Sequence, residues 1–336
     1  MGGVNWIDWM KVIGMFLIIW GHLSPEYLKD CIYMFSVPSF FIISGFLFKT
    51  SDWRTFLYKN TTGLVVPYVL LTFSIVLFFA VVKLYFSNFS SNYFLYSIIS
   101  CLIGDQDGMD GGVGCQAMWF VYTLFLVKVV ANSVKSRWLL QLLIIAVFLF
   151  LAIFLNRNQI SYFSSYINVF LAYPFFMLGY YVKYKYNKVI LKLLNSINSF
   201  QKWIVYLFIL FGLLVLFLVG SYNGMVQMYN ADYGNSILLC LVGGVWGTFL
   251  LAIVGVLFNS KDYNRIIYCY SKGSVISLAW QIVFLFIIDQ FSTKAGFTCI
   301  HNDFITFLLA VFIFIAFVPI IKFINKNIPI LVGYRK

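Results

Sequence analysis

Asn5-Trp-Ile-Asp8-Trp-Met-Lys11-Val-Ile-Gly-Met-Phe-Leu-Ile-Ile-Trp-Gly-His22 is an apolar run that carries an acid, a base and an imidazole. As a helix rising ~1.5 Å per residue it is long enough to cross most of a hydrocarbon core of ~30 Å. Similar apolar runs recur down the chain. Together they predict ten spans, at about 6–23, 31–49, 63–85, 114–133, 138–155, 164–184, 203–220, 236–258, 274–291 and 302–324. The expected fold is therefore all-α: a single polytopic membrane helix bundle over residues 1–336, with about ten transmembrane helices.

Composition supports this class. Of the 336 residues 62% are hydrophobic and only 10% are charged, against ~25% charged in soluble domains. So few charges cannot cover the surface of a soluble protein of this length. Aromatics reach 21%, which suits lipid-facing helices with interfacial anchors. The shorter apolar stretch 91–104 reads as an interfacial or re-entrant helix. No internal repeat is evident, which weakens a transporter reading built on inverted repeats. The first run lacks a small-residue cleavage site and is expected to stay in the mature protein.

The net charge of +12 does not point to nucleic acid. The basic residues fall in short clusters between apolar runs, and alternate clusters differ in sign. One set of loops, together with Lys11 near the start of the first run, holds all of the 23 Lys and Arg except Lys29, Lys83, Arg157 and Lys294. The other set holds those four and most of the acids, including the Gly-rich loop Asp105–Gly114. The positive-inside rule then puts both termini in the cytoplasm. The six cysteines show no CxxC and no metal-ligand spacing, so no metal is expected. Cys101 and Cys115 flank one loop and can pair if it faces an oxidising side.

Polar groups inside spans are costly and mark function by default. Lys11 and His22 are eleven residues apart, which returns them to within ~20° on one helix face and separates them by ~16 Å along the axis. Asp8 lies one turn before Lys11 and can pair with it. A plainer reading stays open, in which Lys11 snorkels to the headgroups and His22 ends the helix. The other histidine, His301, reads as a solvated loop residue. In the second span, Pro38 frees a backbone carbonyl and Ser44-Gly45 lets another backbone approach. Helix packing explains Ser44 and Gly45 as well as ligand contact does.

The order Ile-Asp8-x-x-Lys11-x10-His22, then Phe35-x-x-Pro38-x-x-Phe41-Ile-Ile-Ser44-Gly45-Phe, resembles the acyltransferase-3 family of integral membrane acyltransferases. Met118-Trp119-Phe120 resembles its Trp-Phe helix, and Pro174-Phe-Phe-Met-Leu-Gly179 its Pro-Phe-Phe-x-x-Gly segment. The run Ser271–Gln281 resembles a late helix that often ends in histidine. Lys11 stands where Arg is common; Ser36 and Gln281 stand where many relatives have histidine. His22 is thus the only histidine in the expected core.

The resemblance implies a multi-pass enzyme of the bacterial plasma (inner) membrane that needs no bound cofactor. It implies transfer of an acyl group, usually acetyl, from cytoplasmic acetyl-CoA to a hydroxyl of a cell-surface or lipid-linked glycan. His22, Lys11 and Asp8 are then the catalytic candidates. Phe35, Pro38, Phe41, Ser44, Gly45, Trp119, Phe120 and Gln281 are the substrate-binding or structural ones. A buried cation can meet CoA phosphate, and a neutral imidazole can act as general base or take the acyl group itself. Tyr222, Tyr229 and Tyr233 can hold a sugar or simply anchor at the interface. The alternative is a secondary transporter or flippase for a glycan-related substrate.

The charge pattern makes a topology prediction. Phosphatase fusions placed near 26, 108, 158, 228 and 296 are expected to be active, and a fusion at 190 inactive. Activity at 190 would reverse the assignment of sides.

Overall fold

The computed structural model describes residues 5–86, 89–135, 137–161, 163–194, 199–259, 264–294 and 303–333. His301, Cys299, Lys261, Arg335 and Lys336 lie outside them. Among the described residues the chain is helical, with no strand. The helices are α1 (Asn5–Leu23), α2 (Glu26–Leu47), α3 (Trp53–Asn60), α4 (Val66–Tyr85), α5 (Tyr93–Ile103) and α6 (Trp119–Ser133). They continue as α7 (Trp138–Arg157), α8 (Ser164–Leu194), α9 (Ser199–Asn223), α10 (Ile237–Leu257), α11 (Arg265–Lys294) and α12 (Asp303–Asn327). A π-helical turn, Thr61–Val65, joins α3 to α4 into one long rod.

A helix lies over each of the ten expected spans. Among the described residues, eight helices are long and apolar enough to cross a membrane: α1, α2, the α3–α4 rod, α7, α9, α10, α11 and α12. Of the other two, α6 has only 15 residues, and α8 is the 31-residue helix that carries Asn168 and Lys183. The result is an all-α polytopic bundle.

Contacts between helix ends divide the bundle into two poles. At one pole Asp8 meets Ser271, Asn325 reaches the Cys269 carbonyl, and Gly333 lies on Gly63. Asn132 and Lys135 both bond the backbone of Ser51 there. At the other pole Tyr27 donates to Asp303 and Lys83 to the Gly111 carbonyl. The start of α1 and the end of the described chain therefore share one pole. It is the pole that the sequence marks as basic.

The short helix α5 runs down the side of α4. The Tyr93 hydroxyl donates to the Val76 carbonyl at 2.8 Å, and the Tyr68 hydroxyl to the Cys101 carbonyl at 2.6 Å. Val76 and Tyr68 are about 12 Å apart along α4 at 1.5 Å per residue. The helix thus dips into the bundle, and the re-entrant reading of 91–104 fits better than a helix lying along the surface. It stops at Gly104, whose φ of 70° suits glycine. The acidic loop then folds back over it: Ser100 accepts from the Met109 N–H and Ser97 from the Val113 N–H. Cys101 and Cys115 are both free thiols, so the proposed pairing is absent.

Helix α2 is the hub, packed on α1, α8, α9 and α10. Two glycines set its approach to α8. A Cβ on Gly45 would overlap the Phe176 carbonyl, and one on Gly179 would overlap the Ile42 carbonyl. On its other side α10 presents Gly243, Gly244 and Gly247, which receive Met34, Pro38 and Phe35. Lipid tails are as apolar as leucine, so such close backbone packing, not water exclusion, holds helices together in a bilayer.

Gly45→Leu and Gly179→Leu are each expected to destabilise the bundle by about 3 kcal/mol or more, since nearby backbone cannot yield. Gly63→Ala, with open space around its Cβ, is the control. Accumulation and thermal stability in detergent measure the difference. Wild-type stability of both leucine variants would remove the α2–α8 crossing from its central place.

Candidate active site

One large cavity, about 990 Å³, runs between the two poles. Stripes of side chains on four helices line most of it, and α3 and the start of α4 add Phe56, Lys59, Asn60 and Pro67. On α1 the stripe is Lys11, Met15, Ile18 and His22; on α2 it is Tyr33, Val37, Phe40 and Ser44. On α6 and the turn before it the stripe is Ala117, Val121, Leu124 and Lys128; on α11 it is Ser271, Val275, Leu278 and Ile282. All four follow the same spacing of four, three and four residues, which keeps side chains on one helix face.

The two ends differ in chemistry. Lys11, Lys49, Lys59, Lys128 and Lys272 line the basic pole. Five lysines around one end of the cavity suit that end to receive an anion. The middle is apolar, lined by Met15, Ile18, Val37, Phe40, Phe120 and Leu278. The far end holds His22, Lys29, Tyr33, Gln106, Gln116 and Tyr229.

His22 is surrounded by protein, yet its side chain is accessible because it faces the cavity. Its ring meets the Tyr33 ring edge-on at 5.7 Å between centroids. Lys11 lines the same cavity, so the shared face expected of these two residues is the wall of one chamber. Asp8 is not part of that wall. Its carboxylate accepts from the Ser271 hydroxyl at 2.6 Å, and its attraction to Lys11 acts through space. That bond ties α1 to α11 at the basic pole.

The second-span residues separate into two groups. Ser44 lines the cavity. Phe35 and Pro38 instead pack on the glycines of α10, Gly45 packs on α8, and Phe41 is fully buried against Phe120 at 4.7 Å. Trp119, Phe120 and Gln281 all reach the cavity. Ser36 is fully buried and its hydroxyl oxygen has no partner among the described residues.

Three tyrosines of the 222–233 segment have three different fates. Tyr222 is exposed, and Tyr233 is locked inside by Asn168 at 3.1 Å. Tyr229 alone of the three lines the cavity. Asn168 also donates to the Met228 carbonyl, which seats the turn that carries Tyr229.

Sequence reading counted Lys49, Lys59, Lys128 and Lys272 as topology charges only. It also passed over Tyr33, Gln106 and Gln116. Lys128 had a readable signal, since it sits inside an apolar helix. The others have none, because a loop charge or a helical tyrosine reads the same whether it meets water, lipid or a cavity. Among the described residues no cluster of His, Cys, Asp or Glu fits a metal.

A family model described as an acyltransferase domain matches residues 4–324. No curated protein and no solved structure matches the chain. The family match covers nearly the whole bundle, including all four helices whose stripes line the cavity. The chain therefore belongs to the acyltransferase-3 family and is a membrane-embedded acyltransferase.

Proposed function

We propose that this acyltransferase moves an acetyl group from cytoplasmic acetyl-CoA to a hydroxyl of a cell-surface or lipid-linked glycan, in a bacterial plasma membrane. The observation that carries the reading is the single cavity joining a lysine-lined pole to His22 along one face of α1. CoA is polyanionic, and lysines bind phosphate as point charges. The ~16 Å between Lys11 and His22 is walled by apolar residues that suit the slender, uncharged pantetheine arm. The thioester is then delivered to the imidazole, and the acceptor reaches it from the far pole beside Tyr229 and Gln116.

The reaction needs one proton moved twice. His22 takes the proton of the sugar hydroxyl as its oxygen attacks the thioester carbon. A C–O bond forms and the carbonyl electron pair moves onto oxygen. When that pair returns, the C–S bond breaks, and the CoA thiolate leaves and takes the proton from the imidazolium. In the covalent variant the imidazole nitrogen attacks the thioester carbon and expels CoA thiolate, and the sugar oxygen then displaces the imidazole while its proton passes to the thiolate. Both routes place the same imidazole against the same carbonyl. The transporter reading loses ground because the family is one of acyl-transfer enzymes.

Mass or NMR analysis of surface glycans, with and without the protein, is expected to show acetyl groups that vanish on deletion. With that acceptor in hand, His22→Ala and His22→Gln are each expected to lower transfer by ~10²–10⁴-fold, while the protein still inserts and accumulates. Near wild-type transfer by purified His22→Gln would sink both roles for the imidazole.

Lys11→Ala is expected to weaken acetyl-CoA binding, and Lys11→Arg to keep most of it because guanidinium also pairs with phosphate. Titration calorimetry of the purified variants measures this. Equal donor affinity in Lys11→Ala would leave Lys11 as a snorkelling topology residue.

A further inference from the structure

Gln281 on α11 is 1% exposed, and neither its amide nitrogen nor its amide oxygen has a hydrogen-bond partner among the described residues. An amide left unpaired in the interior is costly, and a ligand in the cavity it lines would supply the missing partner. Helix α11 packs directly against Gln116–Met118, the 3₁₀ turn that starts α6. No side chain caps that turn. Its Gln116 N–H is taken by the Gln106 carbonyl and its Met118 N–H by the Cys115 carbonyl. The Ala117 N–H has no acceptor among the described residues, and Ala117 lines the cavity.

Depth places Gln281 beside the reacting atoms, and its packing partner, the 116–118 turn, lines the same cavity. Helices α1 and α11 both rise from the basic pole, where Asp8 bonds Ser271. Gln281 is ten residues beyond Ser271, ~15 Å along the axis, and His22 is fourteen beyond Asp8, ~21 Å. Gln281 therefore sits roughly one turn short of His22, on the side from which the donor arrives. A helix that begins inside the bundle also turns its positive dipole end on whatever lies before it.

We infer that the Gln281 amide and the Ala117 N–H form the oxyanion site of this enzyme. They donate to the thioester oxygen while it holds the electron pair displaced by the attacking hydroxyl, and release it when the pair returns to expel CoA thiolate. Donors already aimed at that oxygen favour the transition state over the ground state. The assignment rests on the acyl-transfer reading above, so its test needs a readout that does not depend on the acceptor.

Trifluoroacetonyl-CoA, a ketone that forms a tetrahedral adduct or hydrate, mimics the intermediate, and acetyl-CoA reports the ground state. Affinities of both are measured on the purified full chain in detergent, together with its melting temperature. Gln281→Leu is expected to lose ~10²-fold in affinity for the ketone and to change acetyl-CoA binding by less than about threefold. It is also expected to melt no lower than the parent, because an unpaired buried amide has been removed. Gln281→Met, which keeps the length and flexibility of the side chain, is expected to behave alike. Undiminished ketone affinity in both variants, or equal loss of both ligands, overturns the oxyanion role while leaving the donor reading intact. If the parent protein binds neither CoA compound, the donor reading itself fails and takes this assignment with it.

Discussion

The backbone crossing of α2 and α8 is the contact on which the cavity depends. Gly45 and Gly179 each meet a carbonyl of the partner helix where a side chain would stand. With α8 on one side of α2 and the glycines of α10 on another, the rotation of α2 is set. Its remaining stripe, Tyr33 to Ser44, is the one left to face the chamber. A bilayer provides no hydrophobic force between helices, so a small-residue crossing is what holds that rotation.

The cavity separates two tasks that would interfere at one place. Under the function proposed above, most of the lysines meet the donor's phosphates at one pole and His22 meets its thioester toward the other, where Lys29 also lines the cavity. Three helical turns on α1 keep them apart: Lys11 stands at the basic pole and His22 ~16 Å away. The Asp8–Ser271 bond holds α1 in register with α11, so the stripe on α11 faces the same space at matching depth. Asp8 thus acts on the site through helix placement.

The short helices complete the site. Because α5 dips beside α4 and ends at Gly104, the chain is still inside the bundle when α6 begins. That brings a helix start, rather than a helix side, to the chamber wall. The cost is an awkward backbone. Gln116 takes a φ of 49°, uncommon for a residue with a side chain, at the first position of the turn that faces the cavity.

Much of this was legible in the chain itself. Apolar runs of near-spanning length and the scarcity of charge imply a helical membrane bundle, because only helices and closed barrels satisfy their backbone in lipid and the runs are too long for barrel strands. Charge alternation sorts the helix ends into poles, and the eleven-residue spacing of Lys11 and His22 puts them on one face whatever surrounds it. The length of α5 showed that it is not a span, and its contacts with α4 then chose re-entrant over interfacial. Packing alone decided what those faces meet. Phe35 and Pro38 belong to the same motif as Ser44, yet they turn to α10 while Ser44 turns to the cavity. Gln281 was already a candidate from the sequence, but Lys128 joined the cavity wall only when α6 was set beside α1. A sequence specifies the side chains on each helix face through a 3.6-residue period. It does not specify the rotation of one helix against another, which is set by contacts between residues far apart in the chain, such as Gly45 with Phe176.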